Sequence, residues 1–97
     1  MYARIVNVQL QPAKTEEGSR IVKESIVPAM KDLKGFKGQF FFTQPDTGKA
    51  VSINLWETED DLTAFESSPL YKELLGKLGA ILAGPPAGEK YSLTVQV

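Results

Sequence analysis

The chain has 97 residues, 42% of them hydrophobic and 24% charged, and its 11 basic and 12 acidic residues leave a net charge of −1. That fits one globular domain, 1–97, with no electrostatic pull toward nucleic acid or an anionic membrane. It has no cysteine and no histidine, which excludes disulfides, thiolate metal sites, a thiol nucleophile, the usual general base near neutral pH and the commonest haem and zinc ligand.

Tyr2 to Gln11 reads as a first strand, with Val6, Val8 and Leu10 on one side and Ala3, Ile5, Asn7 and Gln9 on the other. Its N-terminus lacks the basic-then-apolar layout of a signal segment, and no later apolar run reaches the length of a membrane span, so a cytoplasmic protein is expected. Pro12 ends the strand. Thr15 is the expected N-cap of a helix with Glu16 and Glu17 in its first turn, and Val22, Ile26, Ala29, Met30 and Leu33 recur at helical spacing. Pro28 inside that pattern predicts a kink or a break after Val27. Gly35 is a helix stop.

Phe36 to Gln44 and Lys49 to Glu57 read as two strands joined by the turn Pro45-Asp46-Thr47-Gly48, an antiparallel hairpin. Thr58-Glu59-Asp60-Asp61 has the layout of a capping box, with Leu62 and Phe65 turned inward from the helix that follows. Ser68 and Pro69 start another helix, whose apolar stripe is Tyr71, Leu74, Leu75, Leu78, Ile81 and Leu82. Gly76 and Gly79 weaken that helix, though small residues there would also allow close approach to a neighbour. Gly84 to Gly88 reads as a connector, and Tyr91, Leu93, Val95 and Val97 alternate in a last strand that reaches the C-terminus. The order β-α-β-β-α-α-β suggests an α+β domain, one antiparallel sheet with helices on one face.

The lone tryptophan, Trp56, ends the third strand on the face that carries Ser52 and Asn54, while Val51, Ile53 and Leu55 occupy the opposite face. Trp56 is therefore either a pocket wall able to stack a flat molecule or a core residue that closes the sheet edge over the next helix. Asn7, Ser52 and Asn54 are candidate donors to a carbonyl or phenolate oxygen, and asparagine is depleted in strands, so its two appearances there invite an explanation. The acids Glu57, Glu59, Asp60, Asp61 and Glu66 read as helix N-terminal charges rather than a metal site. Arg4 and Tyr91 could reach a dimer contact or the cavity mouth, but read first as ordinary surface and core residues. Helices on one side of the sheet leave the other face bare, and a bare aliphatic face points to an isologous partner.

Leu33-Lys34-Gly35-Phe36, the Asp46-Thr47-Gly48 hairpin, Trp56-Glu57-Thr58 entering a helix, Ser68-Pro69-Leu70-Tyr71 and the late Gly84-Pro85-Pro86 occur in an order that resembles the antibiotic biosynthesis monooxygenase-like domain of the dimeric α+β barrel superfamily. The resemblance implies a ferredoxin-like subunit, two of which pack sheet to sheet as a barrel. It also implies a cavity between each sheet and its own helices, with the aliphatic face in the dimer and the Trp56 face toward the cavity.

The cofactor-independent, quinone-forming members use a tryptophan and an asparagine on the third strand with tyrosines nearby. Trp56 falls at the tryptophan position. Ser52 falls at the asparagine position with Asn54 close by, and Phe41 and Leu62 fall at the tyrosine positions. Haem-degrading members use a first-strand asparagine, a role Asn7 suits, with a helical tryptophan and a histidine; Phe65 and Leu75 stand in the latter two places, so haem degradation is not expected. The resemblance thus implies a homodimer with no cofactor and no metal, binding a small flat phenol or quinol beside Trp56, Asn54, Ser52, Asn7 and Phe41. The alternative is a non-catalytic small-ligand-binding or stress-associated dimer.

Overall fold

Alternating side chains make Tyr2–Gln9 the strand β1, a central strand of the sheet in the computed structural model, which describes residues 1–97. The other strands are β2 (Phe36–Thr43), β3 (Lys49–Trp56) and β4 (Ala87–Ser92), and the spatial order β2-β3-β1-β4 is antiparallel throughout. With the helices gathered on one face, this is the expected ferredoxin-like α+β subunit.

The first helical stretch enters through a 3₁₀ turn at Pro12–Lys14, so Thr15 is the buried first residue of α1 (Thr15–Ile21) rather than its N-cap. It then passes through a π-helical turn, Val22–Ile26, into α2 (Val27–Met30). Pro28 neither breaks the helix nor stands alone. It has no N–H to donate, and the widened turn before it, in which the Val27 N–H bonds the Val22 carbonyl, absorbs the irregularity. Gly35 (φ +81°) reverses the chain into β2, and its carbonyl accepts from the Glu57 N–H at 2.7 Å, tying the hairpin's far end to that turn.

Thr58 caps α3 (Glu59–Glu66) by accepting from the Asp61 N–H at 3.1 Å, and Ser68 caps α4 (Pro69–Leu78) by accepting from Tyr71 N–H at 3.4 Å. These are the caps expected from the sequence. Leu62, Phe65, Leu74, Leu78 and Ile81 then join Val6, Val8, Leu10, Val22, Ile26, Met30, Ala50 and Trp56 in the core. Gly76 and Gly79 do not serve close packing, because a Cβ at either would meet nothing within 4 Å. Gly76→Ala, in the exposed interior of α4, is therefore expected to stabilise the protein by about 0.5–1 kcal/mol, as a higher urea midpoint at unchanged slope.

The last strand departs from expectation. It begins inside the expected connector, at Ala87, and ends at Ser92, so the alternation Leu93 to Val97 lies beyond the ladder except for the Leu93 N–H bond to the Met1 carbonyl. Val95 and Val97 are exposed. Periodicity alone set the strand there, whereas the ladder with β1 runs only from Tyr2 opposite Ser92 to Asn7 opposite Ala87.

Register decides what each face carries. Val6 pairs with Ser52, Arg4 with Asn54 and Tyr2 with Trp56, so the aliphatic side of β1 and the polar-aromatic side of β3 share the helix-covered face. Val51, Ile53 and Leu55 share the open face with Ala3, Ile5 and Asn7, and Phe40 and Phe42 join them from β2. The resemblance-based expectation that aliphatic faces turn away from the helices is met on β3 and reversed on β1.

Candidate functional site

Asn54 and Trp56 are two residues apart on β3 and so point to the same side. The Trp56 Nε1–H donates to Asn54 Oδ1 at 2.6 Å, in a buried bond. Indole nitrogen can only donate, which fixes the orientation of the carboxamide: its oxygen is taken and its NH₂ remains to serve a ligand. One pair further along the ladder, Ser52 Oγ accepts from Gln39 Nε2 at 2.7 Å, leaving the hydroxyl hydrogen free to donate elsewhere.

These groups border a partly open space between the sheet and the helices, about 70 Å³ in volume. Its floor is Arg4, Val6 and Val8 of β1, Gln39 and Phe41 of β2, and Ser52 and Asn54 of β3. Val22, Ile26 and Met30 close it from the first helical stretch, and Phe65, Tyr71, Leu74, Leu75 and Leu78 from α3 and α4. Most ligand cavities are several times larger, roughly 300–1,000 Å³. The space admits a small ring at most, with the flexible Met30 and Leu75 as the wall side chains best able to yield.

Three residues singled out in the sequence, Asn54, Ser52 and Phe41, line this cavity. Trp56 does not. It is 1% exposed, stacked on Phe65 at 5.1 Å and met edge-on by Phe36 at 5.6 Å, and it closes the sheet edge beneath α3. Its relation to the cavity runs through Asn54, which it holds in place. Asn7 lies on the other side of the sheet, exposed and paired with Val51, because it is out of phase with Val6 and Val8. There it borders a more open depression of about 560 Å³ with Gln9, Phe42 and Pro85.

Arg4, Tyr71 and Gln39 are cavity residues that sequence reasoning did not choose. Arg4 carried a signal: it is in phase with Val6, Val8 and Leu10, so a charge had to enter the core face. Its side chain is indeed buried, its Nη2 donates to the Tyr71 hydroxyl, and its Nε lies 3.4 Å from Glu66 Oε2. Tyr91, read as core or surface, is on the open face of β4 and 48% exposed. The acids at the start of α3 do not converge: no three potential ligand side chains are grouped to hold a metal ion.

Asn54, Ser52 and Arg4 each offer the cavity a donor, Gln39 and Tyr71 add oxygens that can also accept, and no carboxylate lines it. Such a lining suits oxygen acceptors on an otherwise apolar ligand.

Comparison with known proteins follows this geometry. The family model described as antibiotic biosynthesis monooxygenase matches residues 1–76. The uncharacterised protein Rv2558 of Mycobacterium tuberculosis is 25% identical over 64 residues, 66% of this chain; the chain spans only 27% of that relative's length. Among solved structures, the monooxygenase from the gene ActVA-Orf6 of Streptomyces coelicolor, in complex with nanaomycin D, superposes with a TM-score of 0.84 at 19% identity, covering 99% of this chain and 89% of that one. A candidate antibiotic biosynthesis monooxygenase of Bordetella bronchiseptica superposes with a TM-score of 0.78 at 18% identity, covering 97% of each chain.

Proposed function

Since this chain belongs to the antibiotic biosynthesis monooxygenase family, we propose that it is a homodimeric, cofactor-independent monooxygenase-like protein that takes a small flat phenol or quinol into the cavity between sheet and helices. The observation that carries this reading is the group of hydrogen-bond donors set in a mostly apolar lining. The Asn54 amide and the Ser52 hydroxyl stand in an apolar enclosure beside Phe41, as a ring with oxygen acceptors requires. The Streptomyces coelicolor protein of the same fold holds nanaomycin D, which supports an organic ligand here. An oxidisable substrate of this kind supplies the electrons for oxygen, so the protein need only bind, orient and exclude water.

The bare sheet face supports the dimer. Phe40, Phe42 and Tyr91 are 48%, 55% and 48% exposed beside Val51, Ile53 and Leu55, a contiguous apolar surface of the kind that marks an interaction site. No helix is long and apolar enough to cross a membrane.

One observation favours a second reading, a dimer that binds ligand without turnover. Arg4 and Tyr71 are the only ionisable side chains that line the cavity, so no carboxylate is placed to take a proton from a bound phenol. Aerobic incubation with a panel of single-ring quinols, read as oxygen consumption, separates the two. The enzyme reading expects uptake that falls about tenfold or more in Ser52→Ala, which loses one donor to the developing oxygen charge. Binding without oxygen uptake across the panel would select the second reading.

A further inference from the structure

We propose that Arg4 makes this cavity selective for an anion, a single-ring ligand whose phenolate or carboxylate oxygen is bound by the Arg4 guanidinium. The inference rests on the cavity reading above and deepens it.

Arg4 sits mid-sheet, paired with Asn54 on one side and Lys90 on the other, and is 7% exposed. A guanidinium brings five N–H donors, and burying them unpaired is costly. Nη2 donates one of its two N–H groups to the Tyr71 hydroxyl. Nε faces Glu66 at 3.4 Å without forming a hydrogen bond, and neither Nε nor Nη1 has a hydrogen-bond partner in the protein although both are fully buried. The local charge is also unbalanced. Glu66 is the only acid in ion-pairing reach of Arg4, and it is shared, with its other oxygen 3.3 Å from Lys90 Nζ. Two cations therefore divide one carboxylate.

The guanidinium nevertheless has a prepared seat. It lies against Gly88 of β4, where any Cβ would collide with Nη1, and its Cζ stands 4.7 Å from the Tyr71 ring centroid. Arg4 and Tyr71 both line the cavity, alongside the free amide of Asn54. An anionic oxygen from the cavity side, accepting from the second N–H of Nη2, would supply the missing negative charge. This also accounts for the lack of a base in the lining. A ligand bound as the phenolate has already released its proton to solvent.

The test uses para-nitrophenol, whose visible absorbance distinguishes phenol from phenolate, and nitrobenzene as its neutral analogue. The methyl NMR signals of Val8 and Leu74 report occupancy of the cavity. The wild-type protein is expected to hold the phenolate at least about tenfold more tightly than nitrobenzene, and than the neutral phenol, the latter seen as a lowered apparent pKa of the bound probe. Arg4→Gln should abolish that preference, bringing the affinities for the phenolate and for nitrobenzene within about twofold of each other. Glu66→Gln, which releases the shared acid, should raise the preference severalfold, and it decides the matter alone if Arg4→Gln does not fold.

Equal binding of the two probes in the wild type would overturn the role of Arg4 while leaving the cavity reading standing. So would a preference that persists in Arg4→Gln, or one that does not rise in Glu66→Gln. Methyl signals unmoved by either probe would overturn the cavity reading and this inference with it.

Discussion

Trp56→Ala is expected to cost about 3–5 kcal/mol of stability, the range for truncating a buried aromatic. Small domains have only about 5–15 kcal/mol in all, so this one residue carries a large share of the margin. The indole is 1% exposed and packs on Phe65 and Phe36 at once, the first joining β3 to α3 and the second joining it to β2. Truncation would open a cavity among three elements and leave Asn54 Oδ1 without its donor. Urea or thermal unfolding checks the magnitude. Trp56→Phe, which keeps a ring but loses the N–H, should cost distinctly less while freeing the Asn54 amide to turn. A Trp56→Ala protein that kept its stability and lost only ligand binding would show that the ring is a ligand wall after all.

Phe40→Lys combined with Phe42→Lys is expected to convert the proposed dimer to monomer without unfolding the subunit. Both rings are about half exposed on the open face, so neither contributes much to the subunit's own core. Through β2–β3 pairing they sit opposite Ile53 and Val51, in the middle of the apolar surface. In an isologous interface each substitution occurs twice, so four buried rings are lost per dimer. Each ring is already half buried, so its loss removes about half of the 1.5–3 kcal/mol for full burial, and the dissociation constant should rise on the order of a hundredfold to ten-thousandfold, before counting the four lysine charges introduced. Sedimentation at micromolar concentration reads the result. A wild-type protein already monomeric there would dispose of the dimer, and with it the physical account of the bare face.

Local chemistry was legible wherever a short segment settles its own structure. Thr58, Ser68 and Pro69 announce helix starts because side-chain oxygens satisfy first-turn N–H groups whatever the rest of the fold does. Gly35 marks a positive-φ reversal for the same kind of reason. Pro28 misled in one respect, since a helix can bypass a missing donor by widening a turn, and that choice is made by the packing of Val22, Ile26 and Met30 into the core. The end of β4 misled too, because alternation continues past the point where a partner strand exists. Of the site, Asn54 and Ser52 were found from the alternation of β3, and Phe41 through the family resemblance. Tyr71 and Arg4 were not, because their meeting spans 67 positions of sequence and is made only when α4 lies over β1.

The sequence by itself determined the elements, their antiparallel hairpin, the absence of thiol and imidazole chemistry, and the pairing of Asn54 with Trp56 on one side of a strand. Those follow from residue type, local backbone preference and the two-residue period. It could not determine which side of β1 belongs with which side of β3. That depends on strand register, and a shift of one residue would exchange the faces. The structure sets Val6 opposite Ser52 and Arg4 opposite Asn54. By that parity it takes Asn7 out of the site and brings Arg4 in, and it turns Trp56 from the ring a ligand would touch into the one that holds Asn54 for it.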